Sequence, residues 1–237
     1  MNAIRRALLH RRGMLPRHGY WTTPREYRAG DDAREIDWRA TARSAILQVR
    51  ERDRDAPVTW SGIVDRSKSM CVGRHRTLYA TAFEALQLWR GSLAPHDRWM
   101  DVAQPAGAFS LESTLEVALQ QLPGATALLV ISDVYALGAV TGALLQTAAR
   151  RLDCTVLIAR DPWFEEFPLR GFVRIVDVES SAGREFYVGP RESVRYRNSA
   201  IECEAQVARV LQAAGWRVAV LEERDALAAV MRAFDLV

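Results

Sequence analysis

Lysine is nearly missing from this chain. Lys68 is the only one among 32 basic residues, so its positive surface is an arginine surface. Arginine stays charged and pairs bidentately with carboxylates, which suits it to fixed ion-pair networks. Cysteine is also scarce. Cys71, Cys154 and Cys203 lie far apart with no C-x-x-C spacing. That excludes a disulfide framework and a structural zinc site, and it points to a reducing, cytoplasmic compartment. No apolar run approaches the roughly 18 residues of a membrane span. The N-terminal stretch lacks the apolar region and cleavage site of a signal peptide. The four histidines include His75 and His96, neither with companions at metal spacing, so both read as surface or capping residues. Internal repeats and low-complexity segments are absent.

What the chain does contain is ordinary core material: 49% hydrophobic and 26% charged residues over 237 positions. The net charge of +3 is too small to argue for nucleic acid by itself. The most informative stretch is Val58-Thr59-Trp60-Ser61-Gly62-Ile63-Val64-Asp65-Arg66-Ser67-Lys68-Ser69-Met70. An apolar run with strand character ends abruptly in an acid and two serines. A buried parallel strand delivers polar groups to the rim of an α/β sheet in this way, and ligands bind at that rim. Asp65, Ser67 and Ser69 offer hard oxygens of the kind magnesium or manganese prefers. A second strand, residues 126–133, repeats the pattern and ends in Ser132 and Asp133.

Around these two strands the pattern alternates. Helices are expected over 75–93, 112–122, 136–151, 190–214 and 225–234. Strands are expected over 46–52, 97–103, 154–160 and 216–221, with a hairpin near 170–189 turning at Ser181-Ala182-Gly183. Ser113 or Thr114 reads as the cap or first turn of the 112–122 helix. The expected fold class is α/β, Rossmann-like, with a mostly parallel sheet covered by helices on both faces and a small β-hairpin excursion.

Two N-terminal features remain. Residues 1–28 carry seven arginines against one acid, Glu26, with Ile4, Ala7, Leu8 and Leu9 at helical spacing. They read as a solvated basic helix docked on its own domain or on a partner, with a basic arm for an anionic membrane surface or nucleic acid as the other use. Residues 25–43 interleave acids and arginines around Tyr27, Ile36 and Trp38. That interleaving reads as an ion-pair network rather than a metal cluster of Asp31, Asp32 and Asp37. The expected division is therefore an arm and signature segment over 1–56 and one domain over 57–237.

The run Gly30-Asp31-Asp32-Ala33-Arg34-Glu35-Ile36-Asp37-Trp38-Arg39-Ala40-Thr41-Ala42-Arg43 closely resembles the signature of the bacterial "domain of unknown function 58" family. Its distance from the D-x-S-x-S-M strand end matches as well. The resemblance covers roughly residues 19 to 236. It implies that Asp31, Asp32, Asp37, Trp38 and Arg43 are structural signature positions. It also implies a von Willebrand factor A-like domain with a metal-ion-dependent adhesion site. Asp65, Ser67 and Ser69 match the first motif of such a site, Asp133 the later acid, and Ser113 or Thr114 the loop threonine. The resemblance implies a non-enzymatic protein-binding module that uses Mg2+ or Mn2+, takes an acidic protein ligand, and works as an adaptor or co-chaperone with a MoxR-type AAA+ ATPase.

The chain departs from the family pattern in two places that matter. Arg66 and Lys68 stand where small residues are usual, and Ser110-Leu111-Glu112-Ser113-Thr114 replaces a Gly-Gly-Thr-Asp loop. A cation within ~5 Å of a metal opposes binding by about 1–3 kcal/mol. A metal-free module whose charge comes from Lys68, with Arg66 beside it, is therefore the second reading. A metal-dependent hydrolase of nucleic acid built on Asp65 and Asp133 is the third. No His, Glu or Cys stands at a motif position to serve it as base or nucleophile.

Overall fold

The computed structural model describes residues 3–11, 25–28, 31, 33, 36–49, 57–104, 109–134, 137, 141–164, 169–176 and 182–237. The chain forms two compact units, Met1–Pro57 and Val58–Val237.

In the first unit, helix α1 runs Ala3–Arg11. Its Ile4, Leu8 and Leu9 are buried. Strand β1 (Arg25–Glu26) pairs antiparallel with β2 (Gln48–Val49). Helix α2 (Trp38–Ser44) lies between them in sequence. Asp37 caps α2, its Oδ1 accepting the Arg39 and Ala40 N–H groups at 3.0 and 3.1 Å. Asp31 Oδ2 accepts the Arg28 N–H at 2.7 Å and closes a turn. Both acids thus serve backbone donors, the use expected of Asp at caps and turns. Trp38 and Arg43 are exposed, and Asp32 lies outside the described residues.

The second unit holds a five-stranded sheet in the order β4-β3-β5-β6-β9. Its members are β3 (Thr59–Val64), β4 (Arg98–Trp99), β5 (Ala127–Ser132), β6 (Asp153–Ala159) and β9 (Arg217–Leu221), and every pairing is parallel. Strands β5 and β6 are almost wholly buried, as expected for parallel strands covered on both faces. On one face α4 (Leu111–Gln121), α5 (Thr141–Arg151) and the C-terminal part of α6 (Pro190–Ala213) bury Leu115, Leu145 and Leu211. These pack with Ile63, Leu128, Val130 and Val156 of the strands. On the other face α3 (Leu78–Arg90) and α7 (Ala226–Arg232) pack together. There Trp89 stacks edge-on with Trp60 at 4.7 Å and lies 5.8 Å from Phe234. Gly62 lets Leu86 pack closely on this face, since a Cβ there would stand 2.2 Å from Leu86 Cδ1 and force that side chain to shift.

The hairpin stands apart as its own sheet, β7 (Gly171–Val176) against β8 (Gly183–Val188), with Phe172 opposite Tyr187. Gly183 lies in the ladder opposite Val176, not in the turn as the sequence suggested. Residue 181 of the expected turn, with residues 177–180, lies outside the described residues.

Several expected boundaries shift, the 46–52 strand to Gln48–Val49 and the 75–93 helix to Leu78–Arg90 among the described residues. The strand expected over 97–103 is Arg98–Trp99, and at its start Asp97 is a turn anchor. Its carboxylate takes N–H groups from Val58, Ala94 and the Trp60 indole at 2.9, 2.9 and 3.0 Å. The 112–122 helix starts one residue earlier, because Ser110 is its N-cap. Ser113 and Thr114 are therefore the third and fourth helical residues. Among the described residues no helix is long and apolar enough to cross a membrane.

Trp89 ties α3 to the sheet twice, through packing and through its Nε1–H donated to the Ser61 carbonyl at 3.0 Å. Trp89→Ala is expected to cost about 3–5 kcal/mol of unfolding free energy, measured by denaturant titration.

Candidate functional site

Strand order places the site. The chain leaves β3 for β4 on one side, then returns to β5 on the other side of β3. The connections diverge between β3 and β5, and the crevice at the carboxyl ends of such a pair is where open α/β sheets bind ligands. Asp65 follows β3 there, and Ser132 and Asp133 end β5.

Asp65 is buried, 2% exposed. Its backbone N–H donates to the Ile131 carbonyl at 2.8 Å, continuing the ladder by one step. Its Oδ2 accepts the Ser132 hydroxyl at 2.7 Å, and its Oδ1 accepts the Ser67 backbone N–H at 2.7 Å. The carboxylate thus bridges the two strand ends and folds the following loop back on itself. That loop enters a 3-10 turn, Lys68–Cys71. Ser67 Oγ and Ser69 Oγ come within 2.8 Å of each other. Two adjacent ligands of an octahedral magnesium site stand about 3 Å apart, since each bond is about 2.1 Å. The hydroxyl pair fits that spacing. The side chains of Arg66 and Lys68 are exposed. Solvent screens outward cations, so the repulsion set by their sequence positions is reduced.

Thr114 is brought to the same edge by topology. Helix α4 joins two parallel strands, so it starts at the carboxyl edge of the sheet. Thr114 shares its buried face with Leu111, Leu115 and Ala118. It is 1% exposed, and its Oγ1 has no hydrogen-bond partner among the described residues. A buried, unpartnered hydroxyl is costly, and a ligand at the rim would explain its retention. Ser113 differs. Its Oγ donates to the Ser110 carbonyl at 3.2 Å, so it belongs to the start of the helix. Asp133 is 9% exposed and lines a small cavity of about 30 Å3 with Ile158, Tyr196 and Glu204.

Two residues that the motif reading did not single out complete the rim. Ser132 holds the Asp65 carboxylate, a role signalled only by its place one residue before the strand-end acid. Gln104 donates its Nε2 to the Val64 carbonyl at 2.8 Å, and nothing in the sequence marks it. Among the described residues no group of three or more His, Cys, Asp or Glu is placed to hold a metal.

The rim continues beyond β6 and β9. Tyr196 donates its hydroxyl to Asp161 Oδ2 at 3.2 Å. Burial first, then the charge and hydrogen bond of Asp161, push its pKa up to about 12. Glu223 Oε1 accepts the His75 and Arg76 N–H groups at 2.6 and 3.0 Å. Burial disfavours its charge, but the backbone donors of Arg76, His75 and Arg74, with the His75 side chain, outweigh that and hold the carboxyl below its ordinary range. Buried Cys154 is inert, its thiol pushed up by burial and by Asp153.

Residues 23–88 match the model of the family described as Protein of unknown function DUF58, in agreement with the resemblance read from residues 30–43 and from the Asp65–Ser69 loop. No curated protein and no solved structure matches the chain.

Thr114→Val keeps the shape and removes the unpartnered hydroxyl. In metal-free buffer it is expected to raise unfolding free energy by about 1–3 kcal/mol, read by denaturant titration. Glu223 yields a pH prediction. A lowered carboxyl contributes stability above its unfolded pKa, and this is lost as pH falls through the lower native value. The His75 and Arg76 amide proton shifts should therefore hold steady down through the ordinary carboxylate range and move together only below it, followed by NMR.

Proposed function

We propose that this chain is a non-enzymatic binding module that presents a metal-ion-dependent adhesion site at the crevice between β3 and β5. The observation that carries the reading is the hydroxyl pair Ser67–Ser69, 2.8 Å apart on a loop whose geometry Asp65 fixes. Ser67 Oγ, Ser69 Oγ and Thr114 Oγ1 are the direct oxygens of this reading. Asp65 has both carboxylate oxygens engaged by Ser132 and Ser67, so it orients its neighbours and holds water in place of binding directly. Asp133 serves from the end of β5 in the same way. A bound Mg2+ or Mn2+ supplies an open coordination position that an acidic side chain of a partner protein can fill.

Three hydroxyls bring no charge of their own. The ion keeps its appetite for an anionic ligand, which suits reversible recognition better than turnover. The rim also lacks a base or nucleophile among the motif residues, as general acid–base hydrolysis would require. In this reading the partner is a MoxR-type AAA+ ATPase of the cytoplasm, with the module as its adaptor or co-chaperone. Support for the partner comes from the family resemblance alone.

Lys68 supports a second reading. It is exposed on the loop that carries both serines, so a metal-free module can offer an acidic partner its ammonium group directly. Calorimetric titration with MgCl2 and MnCl2 separates the two. The metal reading expects saturable binding to the wild-type chain, weakened ~10–100-fold in Asp65→Ala of intact fold. Heat signals identical in wild type and Asp65→Ala would sink it. Capture of a MoxR-type ATPase should be lost in EDTA under the first reading and in Lys68→Ala under the second.

A further inference from the structure

A cleft of about 270 Å3 opens outside the carboxyl ends of β6 and β9. Its lining includes Arg74, Arg160, Asp161, Phe164, Glu223 and Arg224. Its charges are not equally occupied. Glu222 Oε1 accepts from Arg160 Nη1 at 2.7 Å. Glu223 accepts the backbone N–H groups of His75 and Arg76. Asp161 Oδ1 accepts the Trp163 N–H at 2.8 Å, and its Oδ2 takes the Tyr196 hydroxyl. Every lining carboxylate therefore has a donor inside the protein. Arg160 is likewise committed, to Glu204 and Glu222 at 2.7 Å each, with its guanidinium 4.5 Å from the Phe164 ring centroid.

Arg74 and Arg224 are different. Both are exposed, and neither pairs with a carboxylate among the described residues. The Arg74 guanidinium lies 4.4 Å from the Trp163 ring centroid, which fixes its plane while leaving its N–H edge available. The two arginines come from separate loops that Glu223 ties together, through the backbone N–H groups at 75 and 76 and through its own carbonyl, which accepts the Thr81 hydroxyl at 2.7 Å. Loops tied together at the backbone lose less entropy on closing around a ligand than two independent ones.

We propose that this cleft binds a small oxyanion-bearing molecule, with Arg74 and Arg224 gripping its phosphate or carboxylate group and Pro162 and Phe164 contacting its apolar body. Guanidinium forks match both oxyanions bidentately. The volume suits a compact ligand, not a protein segment. This site differs from the Ser67–Ser69 crevice in its lining, which joins the far part of the loop after β3 to the ends of β6 and β9, and it needs no metal. Its failure would leave the reading of that crevice untouched.

The test titrates the full chain in EDTA-containing buffer with inorganic phosphate, AMP and benzoate, followed by NMR shifts of the Trp163 indole and the His75 and Arg76 amides. Saturable binding of AMP or benzoate is expected, at least tenfold weaker in Arg74→Ala/Arg224→Ala and unchanged in Arg191→Ala, which removes an exposed arginine outside the cleft. Tighter binding of AMP assigns the phosphate source, and tighter binding of benzoate the carboxylate source. No saturable shift with any probe overturns the proposal. So does equal weakening in Arg191→Ala, which would mark general attraction to a basic surface.

Discussion

The rim of this domain depends on where the Asp65 carboxylate sits. A buried carboxylate is tolerable only when donors replace its water. Asp65 finds them in Ser132 across the strand pair and in the Ser67 backbone just ahead. One donor fixes the end of β3 against the end of β5. The other bends the loop so that Ser67 and Ser69 turn their hydroxyls toward each other. Without that carboxylate the two serines would be unrelated residues on an exposed loop. The parallel sheet beneath supplies the rigidity that makes such placement reproducible, since its central strands are buried on both faces.

The two edges of the sheet treat polar groups in opposite ways. At the amino edge, Arg217 begins β9 and Asp153 begins β6, and the two form a buried ion pair. Arg217 also donates to Thr155 Oγ1 at 2.9 Å and lies over the Phe234 ring. That cluster closes on itself and has nothing to offer a ligand. At the carboxyl edge, hydroxyls and guanidiniums keep unused capacity: Thr114 Oγ1 has no partner, and Arg74 and Arg224 have no carboxylate among the described residues. Burial and charge occur at both edges. The proposed sites rest on groups left incompletely satisfied at the carboxyl edge, although Ser61 Oγ, within β3, is also buried without a partner among the described residues.

Periodicity made most of the sheet legible. The fully apolar run of β5 and the abrupt polar ends of β3 and β5 announced buried parallel strands and a shared rim. Periodicity failed where one side chain overrides local preference. Asp97 turns the first residue of an expected strand into a loop anchor by accepting three N–H donors, two of them from residues 37 and 39 positions distant in sequence. Ser110 shifts a helix start because its own backbone geometry, not composition, makes it the cap. The acids of the signature segment were read as members of an ion-pair network. Asp31 and Asp37 also cap a turn and a helix, local roles that charge patterning does not reveal. Gln104 was invisible because its role depends on a loop path that no pattern encodes.

The same reasoning decides how Arg66 and Lys68 weigh on the metal question. In sequence they flank Ser67 on both sides, and a cation that close to a divalent ion ought to oppose it. The loop geometry alternates the side chains. Asp65 points inward, Ser67 and Ser69 are half-buried, and Arg66 and Lys68 are exposed. Coulomb repulsion through solvent at an effective dielectric near that of water is about a twentieth of its value through dry protein. The cost to a metal is correspondingly small, whereas the field projected outward still acts on an approaching acidic partner and favours encounter. In both proposed readings the two exposed cations face the side from which an acidic partner would come. Charge of this sign around a hydroxyl-lined crevice is compatible with a metal-dependent module and with a metal-free one, and both proposals take an acidic ligand.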